Sequence, residues 1–161
     1  MLERKPDLFQ PRPSGRHSCV RRSEMFASVI GIDPTAVSST PEFGVGQIGA
    51  VVSNNGVTKI YKYVEYKVGS GSVAAVSGNA CYYNTLDGYK LNQVTSDLSD
   101  SVEIGAGILQ SAPTDGQYCW IQIKGAATMA AALTAGADGD PLTATGSSDG
   151  KLDVTADVTS V

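Results

Sequence analysis

A chain of 161 residues with net charge −4 is long enough for one domain with a real core. Its single histidine, His17, leaves an imidazole hydrolase or a histidine metal site almost without material. Three cysteines without CxxC or Cys/His spacing argue against a zinc site and against a secreted disulfide scaffold.

The 18 glycines come with abundant Val, Thr, Ser and Ala, while good helix formers are scarce, and this composition points to an all-β fold. No 18-residue apolar run and no signal-peptide core occur, so the expectation is a soluble protein, with no membrane, assembled in a reducing cytosol.

Charge is unevenly spread. Residues 1–24 carry +3 and residues 25–161 carry −7, and every arginine precedes residue 23. The first segment holds Pro6, Pro11 and Pro13 with little apolar periodicity, and alone it cannot offset its ordering entropy. It reads as a partner-binding arm whose Arg4, Lys5, Arg12, Arg16, Arg21 and Arg22 suit an acidic protein surface. The same charges could meet phosphate, but no aromatic interleaving accompanies them and the body is acidic, so nucleic acid is not the expected partner.

Met25–Ile32 is a short apolar piece that could dock as a strand, and Asp33-Pro34 and Thr40-Pro41 then break regular structure. We therefore divide the chain into an extended arm and lead-in, 1–46, and a β body, 47–161. In the body, Gln47–Ser53 is a strand, Asn54-Asn55-Gly56 a hairpin turn, and Val57–Val68 the returning strand. Ile60, Val64, Tyr66 and Val68 share one face of that strand, interrupted by Lys62, and Tyr61, Tyr63, Glu65 and Lys67 share the other.

The stretch Asp87–Leu98 resembles Asp149–Val158, and each follows an Ala/Val-rich segment: Val73–Val76, read as a strand, and Ala130–Leu133, where Thr128–Ala135 suits a strand and a helical turn about equally. Strands at such short spacing suit a barrel or a sandwich. Between the two stretches, Thr95–Ser101 reads as a polar loop.

Val102–Gly125 holds the clearest pattern. After an Asp115-Gly116 turn, Cys119, Ile121 and Ile123 alternate with Tyr118, Trp120, Gln122 and Lys124, the period-two signature of a half-buried strand. The outward aromatics Tyr61, Tyr63, Tyr118 and Trp120 are then candidate interface residues, because exposed Tyr and Trp mark interaction surfaces. The alternative is a sandwich in which both faces of these strands are covered.

No GxSxG, P-loop, dinucleotide fingerprint or HExxH is present, and the GxG fragments at Gly44–Gly46 and Gly105–Gly107 suit turns and bulges. The acids Asp97, Asp100 and Glu103, and Asp138 and Asp140, read as solvated turn carboxylates, because neither group has calcium-loop spacing. No catalytic residue, metal ligand or cofactor is expected.

Three runs carry a resemblance: Gly105-Ala106-Gly107-Ile108-Leu109, then Gly116–Gly125 (GQYCWIQIKG), then Ala135–Leu142 (AGADGDPL). From about Gln47 onward the chain is similar to the capsid decoration (cement) proteins of tailed bacteriophages. The resemblance implies a small β-barrel or β-tulip body, commonly a homotrimer, on the outside of the capsid and bound to the major capsid protein. It implies no catalytic residues, and the arm has no counterpart in it. A receptor- or carbohydrate-binding β-module of a tail or fibre is the alternative reading.

Overall fold

The computed structural model describes residues 31–52, 56–85, 87–131, 140–144 and 148–154. The chain divides between Ile30 and Gly31, and the body is the unit from Gly31 onward. The arm residues Arg4, Lys5, Arg12, Arg16, Arg21 and Arg22 lie outside the described residues, as does Asp138.

The body is all-β. Its strands are β1 (Val37–Ser38), β2 (Ile48–Val52), β3 (Thr58–Tyr66), β4 (Ala80–Asn84), β5 (Gln93–Thr95), β6 (Ser101–Leu109), β7 (Tyr118–Lys124), β8 (Leu142–Ala144) and β9 (Leu152–Val154). One helical turn, α1 (Gly88–Leu91), lies between β4 and β5. The first seven strands form one sheet in the order β1-β7-β6-β4-β5-β3-β2, and β3 also pairs with β7. That extra pairing closes β3, β7, β6, β4 and β5 into a ring, so of the two architectures the sequence allowed, the barrel is the one formed. All its pairings are antiparallel except β3 with β5. β8 and β9 make a separate two-stranded sheet.

Long β3 makes closure possible. Its first half pairs with β2 on one side and β7 on the other, and its last residues, Glu65 and Tyr66, leave β2 behind and pair with β5. The barrel interior holds Val64, Tyr66, Cys81, Tyr83, Val94, Leu109, Cys119 and Ile121, with Val68 of the predicted inner face packed against them. Lys62, the interruption on that face, donates from Nζ to Tyr83 Oη at 3.0 Å and lies 5.2 Å from its ring centroid. A long aliphatic stem lets this lysine sit among apolar neighbours while its ammonium stays satisfied.

The two strands predicted to flank Asn54–Gly56 do pair, with Val52 opposite Thr58, and Asn54 and Asn55 of the predicted turn lie outside the described residues. The Asp115-Gly116 turn is also present, with Gly116 at φ 74°. It does not close a two-residue hairpin, however. Tyr66 donates its N–H to Gln117 O (2.8 Å) and Gly116 donates to Tyr66 O (2.9 Å), so the β6–β7 link runs on along the end of β3.

Gly105-Ala106-Gly107 is a bulged strand segment, where the β4–β6 register slips between Cys81 and Tyr82. A Cβ on Gly107 would stand 2.7 Å from Gln122 O, so glycine lets the two backbones approach.

Three sequence expectations need correction. Val73–Val76 is irregular: the Gly-Ser turn before it sends the chain across the barrel end, where Val73 O accepts from Tyr66 Oη at 3.1 Å. The two similar stretches fold differently. Gly88–Leu91 is helical, flanked by left-handed Asp87 and Asn92, whereas Asp149-Gly150 turns directly into β9. Finally, the lead-in is part of the body from Gly31, because β1 pairs with β7 at Cys119 and Tyr118 and Phe43 packs on the barrel wall.

Candidate functional site

The four aromatics proposed as an exposed interface are the centre of a second core. Tyr61, Tyr63 and Trp120 are 4%, 2% and 0% exposed, and Tyr118 is half-buried. Their strand positions are those predicted: Tyr63 pairs with Trp120 across β3 and β7, which puts both on the outer barrel wall. The lead-in covers that wall. Phe43 lies edge-on to Tyr63 and to Trp120, each at 5.2 Å between centroids, and Ile32 and Val51 complete the cluster. Tyr63 and Trp120 are themselves 5.0 Å apart, and Tyr63 stacks on Tyr118 at 6.1 Å.

Tyr63 Oη accepts the Glu42 N–H at 3.3 Å, giving the polar tip a partner. Tyr61, Tyr63 and Trp120 are therefore unavailable for direct contact in the folded body, and Tyr118 keeps part of its surface exposed. Phe43 is the member that sequence reasoning missed; a lone aromatic between Pro41 and the glycines was its only signal.

The inner-face expectation for Cys119 and Ile121 holds, and that for Ile123 does not. Cys119 and Ile121 are buried, but the β3–β7 register slips between Ile60 and Tyr61, and Ile123 is 41% exposed. Burial pushes the Cys81 thiol well up and that of Cys119 up to about 12. Both are protonated and enclosed, so they act as small hydrophobes rather than nucleophiles. Gln122, predicted outward, is 3% exposed; its Nε2 donates to Gly125 O (2.9 Å) and Ala126 O (3.0 Å), holding the chain as it leaves β7.

Asp97 also departs from the solvated reading. It is 2% exposed, and its carboxylate accepts from Ser99 Oγ (2.6 Å), Ser99 N–H (3.0 Å) and Gly71 N–H (2.9 Å). Asp100 accepts the Ser70 N–H and Asp115 the Val68 N–H, so three carboxylates from two loops pin the Gly-Ser strap that crosses the barrel end. A Cβ on Gly69 or Gly71 would stand 2.7 or 2.6 Å from Asp97 Oδ2, so the strap has no room for larger residues.

Chiefly the Ser99 hydroxyl, with backbone N–H donors, holds the Asp97 carboxyl below the usual range. A lowered native value contributes stability above the unfolded value, about 3.9, that is lost as pH falls through the native one. Asp97→Asn should therefore be less stable than wild type at pH 7 and show a shallower loss of stability between pH 5 and the acid limit. Urea titrations across that range check this, and parallel acid limbs would contradict it.

Among the described residues no three His, Cys, Asp or Glu side chains converge as a metal site, and no described helix is long and apolar enough to cross a membrane. Two concavities merit description. One, of about 440 Å³, lies between the β8–β9 sheet and the outer wall of the barrel and is lined by Ala80, Ile108, Ile123, Leu142 and Leu152. The other, about 350 Å³, lies at α1 between Tyr89 and the β6 residues Val102 and Ile104. Tyr89 is 67% exposed and stands edge-on to Tyr83 at 5.0 Å.

Comparison with family models, curated proteins and solved structures found no match. The site is therefore read from its own chemistry. Asp97, Asp100 and Asp115 act as backbone staples, Cys81 and Cys119 are enclosed, and large apolar side chains stand exposed alongside charged ones such as Asp87 and Lys90. Ile48, Val52, Tyr89, Leu91 and Ile104 are each more than half exposed.

Proposed function

We propose that the chain is a structural protein of a virion, a decoration (cement) protein that binds the outside of a bacteriophage head and stabilises contacts between major-capsid subunits. One observation carries this reading. The carboxylates Asp97, Asp100 and Asp115 are spent on the body's own backbone, and large apolar side chains such as Ile48, Val52, Tyr89 and Ile104 stand exposed, so what it offers a partner is surface rather than a reacting group. The sequence resemblance supports it: two of its three runs fall on β6 and β7, which pair with each other.

On this reading the protein has no catalytic role and takes no cofactor. It acts as a homo-oligomer, a trimer in the resemblance, set across neighbouring subunits. Each weak contact then raises the effective concentration of the next. Contacts move to side chains other than the buried aromatics, and the arm arginines and Lys5 meet acids of the capsid, with charge complementarity setting orientation.

Deleting residues 1–24 should reduce binding to heads that lack the protein, measured by co-sedimentation, while the far-UV circular dichroism of the body persists. Undiminished binding by the truncated chain would remove the arm from the mechanism. Failure of the full chain to bind heads would remove the function.

The alternative, a receptor- or carbohydrate-binding module of a tail or fibre, is favoured by one feature, the exposed Tyr89 ring beside Val102 and Ile104. An aromatic face flanked by apolar walls can stack on a sugar ring. Loss of glycan or receptor binding on Tyr89→Ala would support that reading, and capsid binding unchanged by the same substitution would support the first.

A further inference from the structure

The outer edge of β2 is the least protected sheet edge among the described residues. Tyr63 donates its N–H to Gln47 O at 2.9 Å, which sets the parity of the ladder. Residues 47, 49 and 51 turn their backbone toward β3, and Ile48, Ala50 and Val52 turn theirs away from it. Among the described residues β2 pairs with β3 alone. The same three residues carry exposed side chains, with Ile48 at 54% and Val52 at 65%. Ala50 lies opposite Ile60, so all three side chains stand on the face that continues the barrel interior.

Natural sheets blunt their edges by shortening them or by adding charge, proline or a bulge. The other described edges do this. β1 has two residues, and β8 and β9 have three each. The exposed start of β6 carries Glu103 at φ 58° and slips register against β4. β2 runs five residues, IGAVV, without charge or proline, and its bulge at Gly46-Gln47, where Gly46 N–H and Gln47 O both meet Tyr63, lies just before it.

We propose that this edge pairs with the β2 edge of a second copy of the chain, antiparallel about a two-fold axis through Ala50. Ala50 lies opposite Ala50 of the partner subunit, and Ile48 opposite Val52 of the partner subunit. Two features select a second copy over an unrelated strand. The outward backbone positions 48, 50 and 52 are symmetric about 50, so one two-fold operation gives each outward N–H and C=O a partner and stacks the exposed apolar side chains in pairs. Charge also favours this edge over the rest of the body: residues 25–161 carry −7, which disfavours approach of two copies, but residues 43–64 contain no acid, and the Lys62 ammonium is turned to Tyr83 Oη. The contact is a property of the protein alone and does not depend on the capsid reading.

The test uses the full chain with Cys19→Ser, leaving only the buried Cys81 and Cys119. A hydrogen-bonded antiparallel pair holds its Cα atoms about 5.5 Å apart, within disulfide range. Mild oxidation of Ala50→Cys should give a covalent dimer, and Ala112→Cys, on another exposed loop, should not. In sedimentation equilibrium, Ala50→Lys sets like charges face to face and should weaken self-association by about tenfold or more. A monomeric wild-type chain throughout the micromolar range would overturn the proposal. So would an oligomer that resists Ala50→Lys and fails to cross-link through position 50.

Discussion

Trp120→Ala should lower the stability of the body by about 3–5 kcal/mol, the usual loss when a fully buried large aromatic is truncated. The indole is 0% exposed and contacts Phe43 and Tyr63, so the vacated space opens between the barrel wall and the lead-in. Natural domains are stable by only about 5–15 kcal/mol, so the variant stands close to unfolding at room temperature. Trp120→Phe keeps most of the packing and should cost less than half as much.

Urea denaturation followed by far-UV circular dichroism measures both variants, since the sole tryptophan is the residue removed. A loss below about 1 kcal/mol for Trp120→Ala, the range of surface changes, would mean that the indole is not the anchor of the second core.

Gly78→Ala should cost about 3 kcal/mol, from left-handed strain of about 1–2 and overpacking of about 1–3. Gly78 sits at φ 92°, and a Cβ there would meet Ala130 N at 2.6 Å and Thr128 O at 3.1 Å. These are backbone atoms, and they are tied: Gly78 donates to Leu109 O at 2.8 Å and accepts from Ala130 N–H at 2.9 Å. Relief therefore means breaking the hydrogen bonds that dock the chain after β7 onto the barrel. Gly116→Ala is the matched control, with φ 74° and nothing within 4 Å of the added carbon. It should show the conformational cost alone. Equal losses at the two positions, measured by the same denaturation, would contradict the packing argument.

Much of the barrel was legible because period-two alternation reports which side chains share a face. Val64 and Tyr66 were assigned together inside, and Tyr61 and Tyr63 together outside, and the structure keeps both pairs. Alternation does not report what covers each face. Trp120 was read as exposed because its face is opposite Cys119 and Ile121, yet Phe43 and Ile32, far away in sequence, lie across it. Nothing local in PEFGVG announces that a lead-in strap will do so.

The bulge opposite Ile60 and Tyr61 had the same effect at the strand end. It broke the alternation by one residue and left Ile123 exposed. Asp97 was misread for a related reason. Its environment is made by Gly71 from a distant loop, so a polar run, Thr95–Asp97, becomes buried structure. The edge strand β2 was read correctly as a strand, but its exposed backbone row follows from topology rather than from its five residues.

The functional claim is tested most directly by an image reconstruction of bacteriophage heads carrying this protein. The account predicts added density on the outer surface, spanning adjacent major-capsid subunits, into which the closed barrel fits with Trp120 inside the body. Density confined to a tail or fibre, or heads that remain bare at saturating protein, would contradict it.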